Sequence, residues 1–280
     1  MKRLPLPTTN AKDTFFLCIS KVRNFDLKKK LTACEALVIE AETEFSSKIT
    51  KGLIYTIPKE SIVNKNVSVN EMEKIYTNRM AKASVVGRSI YDKIISAAEL
   101  EICPLCNQRS VETLDHYLPK AFFPRLVVTP INLVPACISC NKKKLSSIPT
   151  NPSEETLHPY FDNVEYDEWI YATLNKTSPP TVTFFVDAPS HWSDLLKNRA
   201  EYHLYSYSLN HLYGVQSAKV FQFLNHRLRE IHLKAGSGGV HKYLKEEAKS
   251  RKVVDLNSWQ AVLYTTLYQD KWFCDGGFRF

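Results

Sequence analysis

Apolar residues recur at helical spacing over the first hundred residues of the chain. A first helix is predicted over 12–23, where four apolar residues share one face: Phe15, Cys18, Ile19 and Val22. A second is predicted over 26–48, where six residues alternate at spacings of four and three: Leu27, Leu31, Cys34, Val38, Ala41 and Phe45. The capping-box sequence Ser68-Val-Asn-Glu71 predicts the start of a third helix, which extends to about residue 98.

The apolar stripe of the second predicted helix is narrow and heptad-like. A stripe of this kind packs either against the helix's own domain or against a helix of another chain. Packing within its own domain is the favoured interpretation. A helical hairpin that binds a partner protein stays open as the alternative.

The pattern changes beyond residue 165. Residues 168–175 and 181–187 are rich in aromatic and β-branched residues and flank Ser178-Pro179-Pro180, which predicts a β-hairpin. Four helices are predicted after it, over 191–204, 215–234, 240–250 and 257–268, with breaks at Gly214 and at the glycines of 236–239. The glycine cluster lacks the preceding strand of a phosphate-binding loop, so we interpret it as a hinge or linker.

Composition places the chain among ordinary globular proteins. Hydrophobic residues make up 44% and charged residues 24%, which disfavours collagen-like, disordered and membrane-spanning classes. No apolar run reaches the length of a membrane span, and none of signal-peptide length follows Met1. We therefore expect a cytoplasmic protein with no membrane partner.

Positive charge is concentrated in two stretches. The chain carries a net charge of +8. Residues 2–30 and 226–252 together account for more than this excess, so the rest of the chain is slightly acidic. Basic surfaces of this kind point to nucleic acid as a partner, although solvated helix faces are the alternative for each stretch taken alone.

Four of the seven cysteines form two closely spaced pairs. They are Cys103-Pro-Leu-Cys106 and Cys137-Ile-Ser-Cys140. Two thiolates at this spacing bind one tetrahedral ion from a tight turn, and two such turns complete a structural Cys₄ zinc site. The other three cysteines, Cys18, Cys34 and Cys274, lie in apolar stretches, and we interpret them as small buried hydrophobic residues.

The segment between the cysteine pairs is longer than a zinc ribbon requires. Thr113-Leu-Asp-His116 predicts a short strand, Leu133-Val134 a second, and Asn141 the start of a helix. The result is a β-β-α unit held at both ends by one ion, which a unit of that size needs for stability.

These residues resemble the HNH (ββα-metal) nuclease family. The similarity covers residues 101–162 and includes Cys-x-x-Cys, Asp-His-x-x-Pro and Asn-Leu-x-x-x-Cys-x-x-Cys-Asn followed by lysines. The last letter of the motif is Asn141 and not histidine, as in the HNN variants. The implied fold is α+β: helical residues 1–98, a zinc-stapled ββα-metal domain over 99–165, and a β-hairpin with helices over 166–280.

Catalytic roles follow for two adjacent residues. His116 has an ordinary pKa near neutrality and is the candidate general base for phosphodiester hydrolysis. Asp115 precedes it, points to the opposite side of the strand, and is a candidate ligand for Mg²⁺ or Mn²⁺. The resemblance makes Asn141 the second metal ligand and gives Asn132 the role of bracing the loop that orients the base.

Further candidates surround this pair. Lys142, Lys143 and Lys144 are candidate phosphate contacts. His158 is a tentative further metal ligand, with a packed loop histidine as the alternative.

The resulting prediction is a metal-dependent DNA endonuclease, and the resemblance implies that it leaves 5′-phosphate and 3′-hydroxyl ends. RNA cleavage, including transfer RNA, is an alternative, because nothing in the ββα unit reads the sugar. A zinc-bound nucleic-acid-binding module without activity is a second alternative. Three segments, Gly87–Tyr91, His158–Asp162 and Trp272–Gly277, resemble bacterial HNH proteins of anti-phage defence (Septu-like or retron-associated), which implies an ATPase or other regulatory protein as a partner.

Overall fold

A computed structural model describes the whole chain, Met1–Phe280, which divides into two compact units. The first unit comprises residues 2–162 and the second residues 163–280 with Met1. Helices dominate, and the strands form three separate two-stranded antiparallel sheets. The α+β class predicted from the sequence is therefore confirmed. No helix combines the length and apolarity needed to cross a membrane.

Three helices open the first unit: α1 (Ala11–Ile19), α2 (Phe25–Thr32) and α3 (Glu35–Ile49). The helix predicted over 26–48 is thus interrupted between α2 and α3. The residues of its apolar stripe are buried in this unit, among them Leu31, Cys34, Val38, Ala41 and Phe45. The stripe therefore packs within its own domain, as the favoured interpretation stated, and is not presented to a partner protein.

The helix predicted from Ser68 onward is also interrupted. The hairpin β1 (Ile62–Val63) and β2 (Val67–Ser68) leads into α4 (Val69–Tyr76), a π-helical turn follows, and α5 (Arg88–Ile95) begins after Gly87. The capping box forms as predicted, because Ser68 and Glu71 each accept a hydrogen bond from the other's backbone N–H. A Cβ atom at Gly87 would lie 2.5 Å from the carbonyl oxygen of Arg79, so only glycine fits the approach before α5.

A β-β-α arrangement follows in the same unit. Strand β3 (Thr113–His116) pairs antiparallel with β4 (Leu133–Ala136), and α6 (Ile138–Lys144) comes directly after. Both strands lie where the sequence predicts them. The helix begins three residues earlier than predicted, because Cys137 caps its first turn by accepting a hydrogen bond from the N–H of Cys140.

The second unit contains the predicted hairpin and three helices. Strands β5 (Ile170–Asn175) and β6 (Thr181–Val186) pair antiparallel, with Ile170 opposite Val186. Three helices follow: α7 (Asp194–Ser206), α8 (Leu209–Val254) and α9 (Trp259–Gln269). Gly214 lies inside α8 and does not break it, contrary to the prediction.

The glycine cluster marks a reversal of the chain within α8. Gly236 has non-helical dihedral angles (φ 62°, ψ −164°). The guanidinium carbon of Arg227 lies 5.8 Å from the centroid of the Tyr243 ring. Along an unbroken helix these residues would lie ~24 Å apart, so α8 is two helices joined at Gly236. The break predicted at the glycines of residues 236–239 is confirmed.

Candidate functional site

Four cysteines form one buried cluster in the first unit. The Sγ atoms of Cys103, Cys106, Cys137 and Cys140 all lie within 4.8 Å of one another, and the side chains are buried. The sulfurs of Cys106 and Cys137 are 4.0 Å apart. A tetrahedral zinc ion with bonds of ~2.3 Å would separate its sulfurs by ~3.8 Å, so the cluster has the size and donor set of a Cys₄ zinc site.

Local backbone geometry builds both turns of the cluster. Asn107 adopts a left-handed conformation (φ 49°), which asparagine tolerates, and its N–H donates to the carbonyl of Cys103. In the second turn, Cys137 is the N-cap of α6. Each turn therefore presents both of its thiols on one side, as the two-residue spacing predicts.

The thiols are electrostatically dependent on one another. Hydrogen bonds from neighbouring thiols, that of Cys103 first, lower the pKa of Cys106 to about 7 and also lower the pKa of Cys137. The same contacts raise the pKa of Cys103 and Cys140. Complete deprotonation of the cluster therefore requires a cation, and a zinc ion supplies that charge. The remaining cysteines, Cys18, Cys34 and Cys274, are buried and unbridged, as predicted.

His116 closes strand β3 with its ring held in one orientation. The side chain is buried (7% exposed), and Nε2 lies 2.8 Å from the carbonyl oxygen of Val127. Because a carbonyl only accepts, Nε2 carries the proton and donates, which leaves Nδ1 as an acceptor in the neutral ring. Burial lowers the pKa of His116 to about 3, well below the ordinary value expected from the sequence, so the ring is neutral at pH 7 but a weaker base than a solvated imidazole. The Tyr76 ring packs edge-on against the imidazole at 4.5 Å.

Asp115 faces the opposite side of β3, toward α6. Its Oδ2 lies 3.4 Å from Nζ of Lys144, which also donates to the carbonyl oxygen of His116 at 2.6 Å. All three residues are buried. Burial raises the pKa of Asp115, and the Lys144 ammonium opposes that shift by favouring the ionised carboxylate. One lysine therefore connects α6 to both the carboxylate and the backbone of the Asp115–His116 pair.

Asn132 joins the two ends of the loop between β3 and β4. Its Oδ1 accepts from the N–H of Leu118 (2.7 Å), and its Nδ2 donates to the carbonyls of Leu118 and Leu126 (3.1 and 3.2 Å). The side chain is fully buried, and the backbone carbonyl accepts from the N–H of Tyr117. These bonds fix the loop that carries Val127 and hence the partner of the His116 ring.

The other predicted site residues take different positions. Asn141 is half-buried in α6, one turn before Lys144 and on the same face, rather than at the helix start. Its N–H donates to the carbonyl of Cys137, as expected inside a helix. Lys142 and Lys143 are exposed, whereas Lys144 is buried in the ion pair with Asp115.

His158 lies in an aromatic cluster. Its ring is fully buried, 4.4 Å from the ring of Tyr117, and also contacts Phe45, Tyr160 and Phe161. Its Nδ1 accepts from the N–H of Tyr160. This is the geometry of a packed histidine, the alternative that the sequence left open.

Three features of the site are not evident from the sequence alone. The carbonyl of Val127 as partner of His116 and the Tyr76 ring beside it both depend on tertiary contacts. The burial of Lys144 is the third such feature. Its spacing of three from Asn141 is the only local hint that it shares the inward face of α6.

Lys144 provides a stability prediction. Replacing it with methionine keeps the aliphatic chain but removes the donor to the His116 carbonyl and the ion-pair partner of Asp115. We expect Lys144→Met to lower the free energy of unfolding by about 1–3 kcal/mol, measured by denaturant titration. Lys142→Met, at an exposed position of the same helix, should stay within about 0.5 kcal/mol of the wild type. Equal losses in the two variants would contradict a specific role for the Lys144 contacts.

The fold and the cluster define an α+β protein with a buried four-cysteine site able to bind a metal ion. Among known proteins, the chain is similar to Protein ea31 of Escherichia phage lambda, with 24% identity over 296 aligned positions. The alignment covers 99% of this chain and 100% of that protein. No protein-family description matches the chain, and no solved structure matches it.

Proposed function

We propose that the protein is a metal-dependent endonuclease of the HNH type that hydrolyses DNA phosphodiester bonds. The observation that carries the proposal is the Asp115–His116 pair at the end of β3, with the His116 ring donating through Nε2 to the Val127 carbonyl. This arrangement leaves Nδ1 to take a proton from water. A base in a fixed tautomer is what hydrolysis of a phosphodiester requires of the protein.

Asp115 of β3 and Asn141 of α6 are the residues that would hold a hard divalent cation in this proposal. Asp115 offers carboxylate oxygens, and Asn141 offers an amide oxygen. Asn141 lies on the same face of α6 as Lys144, which forms the ion pair with Asp115. Such an all-oxygen set suits Mg²⁺ or Mn²⁺. The cation would neutralise charge on the scissile phosphate and its leaving oxygen. In this reaction Asp115 and Asn141 would hold the ion, His116 would accept the proton of the attacking water, and Asn132 would keep the base in position through the loop.

The zinc cluster has a structural role in this proposal. All four of its ligands are cysteines, and a tetrahedral ion with four protein ligands has no open position for water or substrate. One cysteine turn lies six residues before β3, and the other directly follows β4. Zinc would therefore fix the position of α6 relative to β3 and so the distance between Asn141 and Asp115.

A zinc-bound binding module without activity is the alternative from another class. Binding of nucleic acid alone favours cations near the phosphates and gains nothing from a buried carboxylate and a neutral imidazole. Asp115 and His116 thus favour the nuclease. RNA as a substrate is supported to the same extent as DNA by the residues of the site.

A role in anti-phage defence with an ATPase partner stays a prediction from the resemblance. The apolar stripe of residues 27–45 was a candidate surface for a partner protein, and its burial means that it does not support this role.

The proposal is tested by cleavage of supercoiled plasmid and of total RNA in the presence of Mg²⁺, Mn²⁺ or EDTA. We expect metal-dependent nicking of the plasmid by the wild type and none in EDTA. Cleavage of RNA alone would support the same mechanism with the other substrate. Specific binding of nucleic acid without cleavage under any metal condition would favour the binding module.

Substitutions of Asn132 and Asn141 are expected to have different effects, the first on stability and the second on cleavage. We expect Asn132→Ala to lower the free energy of unfolding by about 2–4 kcal/mol, because it leaves buried backbone groups of Leu118 and Leu126 without their partners. Asn141→Ala should lower cleavage by at least about tenfold, as removal of a metal ligand would, with little change in stability. The measurements are denaturant titration and plasmid nicking of both variants. The opposite pattern, with Asn141→Ala unfolded and Asn132→Ala fully stable, would overturn these roles.

A further inference from the structure

Residues 21–30 form a basic, solvent-exposed surface in the first unit. They comprise the turn after α1 and the first six residues of α2, and we call them the α2 patch. Its exposed cations are Lys21, Arg23, Lys28, Lys29 and Lys30. Asp26 is the only carboxylate in the patch. The patch therefore has a strong positive field that its own residues do not neutralise.

The cations of the α2 patch form no salt bridges. Lys28 donates to the backbone carbonyl of Ser20 (3.0 Å), which leaves its charge uncompensated. Lys30 acts electrostatically on Glu71 at the start of α4, without direct contact. In contrast, Lys12 of α1 pairs with Glu35 of α3. A salt bridge therefore forms between the neighbouring helices, whereas the cations of the α2 patch form none.

Phe25 stands out within the α2 patch because its side chain is 78% exposed. It is the first residue of α2, and Leu27 and Leu31 supply the face of that helix that packs on the core. Lys28 and Lys29 follow Phe25 at spacings of three and four, so they lie beside the ring on the helix surface. An aromatic ring is thus presented to solvent among cations.

We propose that the α2 patch binds single-stranded nucleic acid, with the Phe25 ring stacked on an unpaired base and the surrounding cations on the phosphates. Base stacking on an exposed aromatic residue within a basic surface is the general mode by which proteins hold single strands. In a duplex the bases are already stacked on one another and do not reach such a ring. The biological role of the patch, as a substrate-binding surface outside the Asp115–His116 site, rests on the proposed function.

The charge of the α2 patch favours a polyanion over a protein partner. The centres of protein–protein interfaces are depleted in lysine, and four of the five cations here are lysines. Polynucleotides instead gain affinity from each phosphate neutralised, through release of counterions. The row of cations beside Phe25 is therefore suited to a strand of phosphates that carries unpaired bases.

The experiment measures binding of the full chain to a fluorescent oligothymidylate of about 15 nucleotides, in EDTA so that cleavage does not occur. We expect Phe25→Ala to weaken binding about tenfold through loss of stacking. The triple variant Lys28→Ala, Lys29→Ala, Lys30→Ala should weaken it at least as much and reduce the salt dependence of log K by about 2. A duplex of the same length should bind more weakly and be insensitive to Phe25→Ala.

Matched controls come from exposed residues outside both basic stretches. Phe223 is an exposed helical phenylalanine (81%), and Lys51, Lys82 and Lys93 are exposed lysines of the first unit. Phe223→Ala and the triple alanine variant of these lysines should bind within about twofold of the wild type, as surface substitutions away from a contact do. Equal losses in the controls, or unchanged binding by Phe25→Ala, would overturn the proposal, since neither outcome fits a local stacking site.

The result is distinguishable from the nuclease proposal. Binding of the single strand that depends on Phe25, without cleavage of any substrate, would support the α2 patch proposal and contradict the nuclease proposal. Cleavage by a protein that binds the oligonucleotide equally well with and without Phe25 would support the nuclease proposal and contradict the α2 patch proposal. Capture of a protein, but of no nucleic acid, by the wild-type patch would also overturn this inference.

Discussion

Replacing His116 with alanine is expected to reduce metal-dependent cleavage about 10³-fold, the size of contribution that a positioned general base makes. The reason is geometric: Nε2 is committed to the Val127 carbonyl, and Nδ1 is the nitrogen left to take a proton from water. The measurement is the rate of plasmid nicking with Mg²⁺ or Mn²⁺ at saturating protein. Zinc content and oligonucleotide binding should stay near wild-type values.

A second variant separates catalysis from stability at this position. The loss of the bond to Val127 costs stability, because a buried carbonyl loses its donor. Glutamine at position 116 can still donate to that carbonyl but cannot act as a base, so His116→Gln should fold like the wild type and cleave as poorly as His116→Ala. His191→Ala, at an exposed histidine, is the matched control and should cleave normally. Rapid cleavage by a well-folded His116→Gln would exclude His116 as the base.

Features that depend on short-range chemistry were predictable from the sequence. The cysteine pairs at fixed spacing, the two short strands between them and the hairpin of β5 and β6 all have local signatures. The reversal at Gly236 belongs to the same group, since glycine adopts a positive φ without steric cost. In each case a few neighbouring residues determine the conformation, so the prediction needed no knowledge of the rest of the chain.

Features that depend on distant contacts were not predictable. The interruption between α2 and α3 carries no glycine or proline, and the apolar stripe continues across it. The turn before α5 depends on the approach of Gly87 to Arg79 and to the Cys18 sulfur. The burial of Lys144 requires that α6 already be docked on β3, which local sequence does not encode. The lysine was therefore grouped with its exposed neighbours as a phosphate contact, although its ammonium bonds within the protein.

The cysteine cluster should hold a single zinc ion per chain, and its loss should unfold the β-β-α segment. Zinc bound by four thiolates contributes about 10–16 kcal/mol in small domains, comparable with the whole stability of a protein. We expect Cys140→Ala to lack zinc and to lose hydrogen-exchange protection throughout β3, β4 and α6. The measurements are metal analysis of protein purified without chelator and hydrogen exchange followed by mass spectrometry.

Cys34→Ala is the matched control for the zinc prediction, because it makes the same substitution at an equally buried position of the same unit. The Cys34 thiol only donates to the carbonyl of Lys30, so its replacement should cost about 1–2 kcal/mol and leave the zinc content unchanged. A fully protected β-β-α segment in zinc-free Cys140→Ala would show that packing alone holds α6 against β3. The ion pair between Lys144 and Asp115 would then be the main link between that helix and the candidate catalytic strand, and Lys144→Met would become the more damaging of the two substitutions.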